Sequence, residues 1–134
     1  MNVIAGAGLV GRVTSVGKNW AKVTTIISDN VSVSGTVLST STNMVITGNL
    51  ETYADGLIEF GKMVDEKNQV VTGDKLVTSN ISDHYLPGIL IGYISSLNTD
   101  SNNLTKSGYV TPAVDFSHLE EVLVILEQKK TIGE

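Results

Sequence analysis

The chain is written in short runs of valine, isoleucine and threonine, each soon cut off by glycine, asparagine or aspartate. Branching at Cβ costs side-chain freedom in a helix but packs well on a pleated surface. Residues 9–16, 20–27, 32–38 and 44–47 therefore read as strands, as do 89–97, 107–114 and 121–126. Two stretches read as tight hairpins: 52–60, turning at Asp55-Gly56, and 70–79, turning at Gly73-Asp74. The helix signal is confined to 116–121, where Ser117 and Glu120 have the spacing of a capping box.

Strands this short, with turn signals this frequent, predict an all-β fold of small antiparallel β-barrels. A length of 134 residues suits one domain, or two lobes sharing a core. We expect a closed or nearly closed barrel or a pair of them, a lobe boundary near 45–50, and a frayed tail at 127–134. A weak internal echo supports repetition. The hexapeptide GRVTSV from Gly11 resembles GYISSL from Gly92, and the apolar runs before them start at Gly8 and Gly88. These four glycines read as structural, placed where side chains would collide at a bend or turn.

Gly6, Gly8 and Gly11 also spell G-x-G-x-x-G, the dinucleotide fingerprint, and Asp29 stands near the distance where its acid belongs. That motif works by offering a helix N-terminus to a pyrophosphate. Here an alternating β pattern and a Gly-Lys-Asn turn follow Gly11, leaving no room for a helix. The glycines predict a hairpin, and no cofactor is expected.

Other chemistry is as sparse. Ser79 or Ser82, His84, and Asp83 or Asp115 could be drawn into a hydrolase triad, but no serine has a nucleophile context. His118 reads as a surface residue of the helical turn. The loop at 99–103 lacks the central glycine and late glutamate of a calcium loop. No catalytic, cofactor-binding or metal-ligating residue is assigned. In the segment His84-Tyr85-Leu86, an amphipathic ring beside a rigid proline is a candidate partner contact.

Nine basic residues against fourteen acidic ones give a net charge of −5. With no run of Lys or Arg, this balance argues against nucleic acid and anionic lipid as partners. Absence of cysteine rules out disulfides and thiolate metal sites. No stretch reaches the roughly 20 apolar residues that span a bilayer. Strand-like sequence begins almost at Met1, so we expect a piece of a longer protein. Its N-terminal segment NVIA would then be an open sheet edge inviting self-association.

Four segments in order carry a family likeness: GLVGRVTSVG (8–17), GDKLVTSN (73–80), LPGILIGYI (86–94) and TPAVDFSHLEEVLVI (111–125). Together the chain resembles the MreC family of rod shape-determining proteins, from about Gly8 to Ile125. The family's T-S-G reads Thr78-Ser79-Asn80 here, a change that asparagine tolerates where the backbone is left-handed. The resemblance implies a β-domain over 1–126, with two barrels of six-stranded type of which the first is incomplete, outside the cytoplasmic membrane and held there by an upstream helix. It implies a non-enzymatic, self-associating scaffold of wall elongation. The implied partners are a class B penicillin-binding protein, MreD and the MreB system. Two alternatives stand beside it: a β-barrel hydrolase using His84, and a small module binding wall polymer.

Overall fold

The computed structural model describes residues 2–6, 8–29, 31–65, 69–81, 84–101, 104–116 and 122–125. Ten strands and one short helix appear among them. The strands are β1 (Asn2–Ala5), β2 (Gly8–Val16), β3 (Ala21–Thr25), β4 (Ser32–Val37) and β5 (Thr42–Thr47). After the helix α1 (Leu50–Tyr53) come β6 (Ile58–Met63), β7 (Lys75–Thr78), β8 (Leu90–Thr99), β9 (Lys106–Pro112) and β10 (Leu123–Val124). The all-β expectation holds.

Six strands close on themselves in the order β8-β7-β4-β5-β6-β9, with β9 returning to β8, and every pairing is antiparallel. Alternation along the strands fills the barrel. Val33 and Val37, Met44 and Ile46, and Ile58 and Phe60 point inward from three consecutive strands, against Leu76, Ile91 and Val110. The segment 45–50, where the sequence suggests a lobe boundary, leads from β5 into α1 between neighbouring barrel strands. The remaining strands form an open sheet in the order β10-β1-β2-β3, joined to the barrel by one parallel bridge from Gly8 to Leu90. A small second core of Val3, Val10 and Val114 lies under it.

The echo in the sequence is a repeat in the structure. In the β2–β3 ladder Gly11 opposes Thr25 and Val13 opposes Val23; after a register shift, Val16 opposes Ala21. The β8–β9 ladder sets Gly92 on Pro112 and Ile94 on Val110, shifts at the same step, and sets Leu97 on Gly108. Likewise Val3 faces Gly11 where Leu76 faces Gly92, each followed by a register shift. Even β10 on β1, with Val3 on Val124, copies β4 on β7, with Val37 on Leu76. The open sheet is thus a four-stranded copy of part of the closed barrel. It has no counterparts of β5 and β6 among the described residues.

Glycines 11 and 92 show why the echo kept its first letter. A Cβ on Gly11 would run into the Thr24 carbonyl and sit 2.8 Å from the Thr25 Cα; on Gly92 it would meet the Thr111 carbonyl and the Pro112 Cα. A Cβ on Gly8 would strike the Val114 side chain, and Gly88 has a φ of +83°.

Three sequence expectations need correcting. Residues 52–60 are not a hairpin. Asn49 caps a short helix, its Oδ1 accepting from the N–H groups of Glu51 and Thr52, and Gly56 (φ +77°) turns the chain into β6. Helix formation wins because asparagine satisfies two otherwise orphaned donors. At 70–79 the turn is where expected, but only its second arm is a strand; the first is held by Asp74, whose Oδ2 accepts from the Val71 N–H at 2.9 Å. Finally, β1 is not an edge, because β10 pairs it on one side and β2 on the other. The outer strands of the open sheet are β3 and β10. The expected helical turn at 116–121, with Ser117, His118 and Glu120, lies outside the described residues after Phe116, as do residues 126–134.

Asp65 pins the loop that follows β6. Its carboxylate accepts from the N–H groups of Gln69 and Val70, both at 3.0 Å, and pairs with Lys106 Nζ at 3.1 Å. Burial pushes its pKa up, but the two N–H groups and Lys106 outweigh burial and hold it below the ordinary 3.8. A carboxyl that is more acidic in the native state stabilises above its unfolded pKa, and that contribution is lost as pH falls through the native value. The urea midpoint of the parent should therefore drop as the pH falls below 3.8 and through the lower native value. Asp65→Asn should give a lower midpoint at neutral pH and a flatter acid limb; parallel limbs would show that Asp65 is not the group responsible.

Candidate functional site

The segment singled out in the sequence, 84–86, lies where the open sheet meets the end of β7, and two buried polar side chains hold it and the turn that follows. Asn2, 2% exposed, reads the backbone on both sides of Tyr85: its Nδ2 donates to the His84 carbonyl at 2.9 Å, and its Oδ1 accepts from the Leu86 N–H at 2.8 Å. Thr78 does the same from β7. Its hydroxyl donates to the Leu86 carbonyl at 2.6 Å and accepts from the Ile89 N–H at 2.8 Å. The turn, tied to β7 by the Gly88 N–H donating to the Thr78 carbonyl, is thus latched by side chains as well, with each buried polar side-chain group satisfied.

The latch decides what the segment can present. Tyr85 is 2% exposed and packs into the barrel core. Burial pushes its phenol above the ordinary pKa, and the Arg12 guanidinium beside it opposes the rise. Of the three expected contact residues, His84 is exposed, Leu86 is half-buried and Tyr85 is inside. Nothing in the sequence marks Asn2 or Thr78 as the residues that hold this loop. Outside it, a cleft of about 350 Å³ runs between β4, β5 and β7, lined by Thr36, Ser41, Asn43, Val77 and Asn80 and roofed by Pro87-Gly88. Its lining is neutral, a mixture of hydroxyl, amide and short apolar groups.

Among the described residues, the hydrolase grouping does not assemble around an accessible nucleophile. Ser79 is fully buried, and its Oγ accepts from the Ile81 N–H at 3.2 Å. Ser82 and Asp83 lie outside the described residues, and Asp115 stands beyond the end of β9. The glycine fingerprint is a hairpin: Gly6 turns the chain at φ +60°, and Gly8 and Gly11 sit within a strand that continues to Val16. Asp29 accepts from the Leu50 N–H, tying down α1. In the loop at 99–103, Asp100 accepts from the hydroxyls of Thr105 and Ser107, both at 2.6 Å, which lower its pKa and brace the β8–β9 turn. Asn102 and Asn103 are outside the described residues. Among the described residues, no three His, Asp or Glu side chains converge to hold a metal.

Known proteins share this architecture. The family model "Rod shape-determining protein MreC, barrel core" matches residues 1–126. The cell shape-determining protein MreC of Listeria monocytogenes is 29% identical over 127 residues, covering 93% of this chain and 42% of that protein. The Bacillus subtilis protein of the same name is 34% identical over 67 residues, half of this chain and 23% of that one. The chain thus spans less than half the length of these relatives. A solved Listeria MreC structure superposes with a TM-score of 0.80 at 28% identity, over 91% of this chain and 58% of that one. A second, described as the major periplasmic domain of the cell shape-determining filament MreC, gives 0.69 at 22% identity, over 90% and 72%.

Proposed function

From a chain that belongs to the MreC family of rod shape-determining proteins, we propose a non-enzymatic scaffold that maintains cell shape by binding wall-synthesis proteins and copies of itself. The observation that carries this reading is the family match over residues 1–126, the stretch that contains every described strand. The packing is in keeping with it. Leu76, Ile46, Ile91, Ile58 and Val110 fill the barrel interior to near-zero exposure, so the barrel offers its outside surface for work. We place the working unit at 1–126, on the outer side of the cytoplasmic membrane. A structural neighbour described as a periplasmic domain and a filament supports both the location and the self-association.

In this reading the open sheet is the first barrel of the unit, with no counterparts of β5 and β6 among the described residues. The partners in this reading are a class B penicillin-binding protein, MreD and the MreB system, and binding of the first can be tested directly. Immobilised chain should retain the purified extracytoplasmic region of such a penicillin-binding protein saturably, and release it on competition with free chain. No retention by a folded chain would overturn direct binding. Turnover of an ester or peptide substrate that disappears in His84→Ala would favour the hydrolase instead.

A further inference from the structure

Charge in this molecule is segregated along the chain. Residues 1–28 hold three of the nine basic side chains, Arg12, Lys18 and Lys22, and none of the fourteen acidic ones. That leaves six against fourteen, a net charge of −8, for the remainder. The sequence shows no basic run, but the fold carries two of the three, Lys18 and Lys22, on one arm, while Arg12 lies below it beside Tyr85. The β2–β3 hairpin projects from the body, with residues 14–23 all exposed. Its end is also apolar: Trp20 is 60% exposed and Val16 64%. The Trp20 ring lies over Gly17, where a Cβ would collide with the indole. An exposed tryptophan flanked by cations is the composition of an interface anchor.

The complementary surface is on the same molecule, near the base of the arm. Glu51 and Asp55 on and after α1, and Glu59 on β6, are exposed, and Leu50 stands among them at 55% exposure. Helix α1 joins the body at that base, where the Leu50 N–H donates to Asp29. From Thr25 at the base to Trp20 at the end is five strand residues, about 17 Å. An arm therefore cannot reach its own acidic face, and the pairing has to be made between copies.

We propose that the β2–β3 arm docks on the acidic α1 face of a second copy, with Trp20 and Val16 against Leu50 and Lys18 and Lys22 against Glu51 and Asp55. The contact joins two different surfaces, so it is head-to-tail and propagates into a filament unless a rotation closes it into a ring. It rests on the self-association proposed above and names the surface responsible.

The test is sedimentation velocity of the chain across a wide concentration range, at low and at high salt. The parent should associate, and salt should weaken it. Reversing the arm (Lys18→Glu with Lys22→Glu) or the face (Glu51→Lys with Asp55→Lys) should weaken association by about tenfold or more, each variant melting with the parent. Mixing the two variants should restore it, because each then meets an oppositely charged surface at both of its contacts. Trp20→Ala should weaken association without changing its salt dependence. A parent that associates equally with either reversal, or reversals that both weaken it without recovery on mixing, would overturn the arm-to-face contact and leave self-association standing. A parent that stays monomeric throughout would overturn self-association itself.

Discussion

Valine in place of Gly92 is expected to destabilise the barrel by about 3 kcal/mol or more, against a total of about 5–15 kcal/mol for a domain of this kind. The reason is the neighbour, not the glycine. β8 crosses β9 so closely here that even the first side-chain atom would run into the Thr111 carbonyl and stand 2.9 Å from the Pro112 Cα. Both are backbone atoms in a closed ladder, so neither can swing aside as a side-chain tip would. Gly11→Val meets the same obstacle at Thr24 but in the open sheet, whose strands are not locked into a ring, and should cost less. Gly61→Ala is the control, because a Cβ there meets nothing within 4 Å. Thermal melts of the three variants should rank Gly92→Val lowest, then Gly11→Val, with Gly61→Ala beside the parent. A Gly92→Val melt indistinguishable from the parent would show that the two strands can separate without cost.

Those glycines also show how much of the fold is legible in the amino-acid sequence. The echo from Gly11 to Gly92 is a six-residue pattern, too short to weigh, yet it marks a ladder repeated pair for pair, register shifts included. Strand runs are readable because alternation is local, and β2, β4 and β8 fall close to where the pattern puts them. The errors come where a local signal has two outcomes. Asp55-Gly56 is a turn either way, and only Asn49, three residues before Thr52, tells helix from hairpin. The edge expected at residues 2–5 fails for a different reason: β10, more than a hundred residues later, covers it, and no local pattern can show that. The same limit hides the site. Tyr85 resembles a contact residue by type, yet it is buried, and the carbonyl just before it is held by a side chain 82 residues upstream of His84.

That side chain is Asn2, and its removal carries the second large effect. Asn2→Ala deletes the donor for the His84 carbonyl and the acceptor for the Leu86 N–H in one step. Each buried group left without a partner costs about 1–3 kcal/mol, so the loss of both should total about 2–6 kcal/mol if the loop stays in place. The loop has a way to lower that cost, which is to lift away and let water reach both groups. Thr78 would still hold its far end through the Leu86 carbonyl and the Ile89 N–H, so the movement would centre on 84 and 85. Tyr85 would then leave the environment that raises its phenol. An alkaline titration should accordingly find one tyrosine ionising at lower pH in Asn2→Ala than in the parent, alongside a lower melting temperature and faster hydrogen exchange at Leu86. A lower melt with the tyrosine titration unchanged would mean that the loop stays seated and the cost is borne by the unsatisfied groups. Unchanged stability would mean that Asn2 is not the latch.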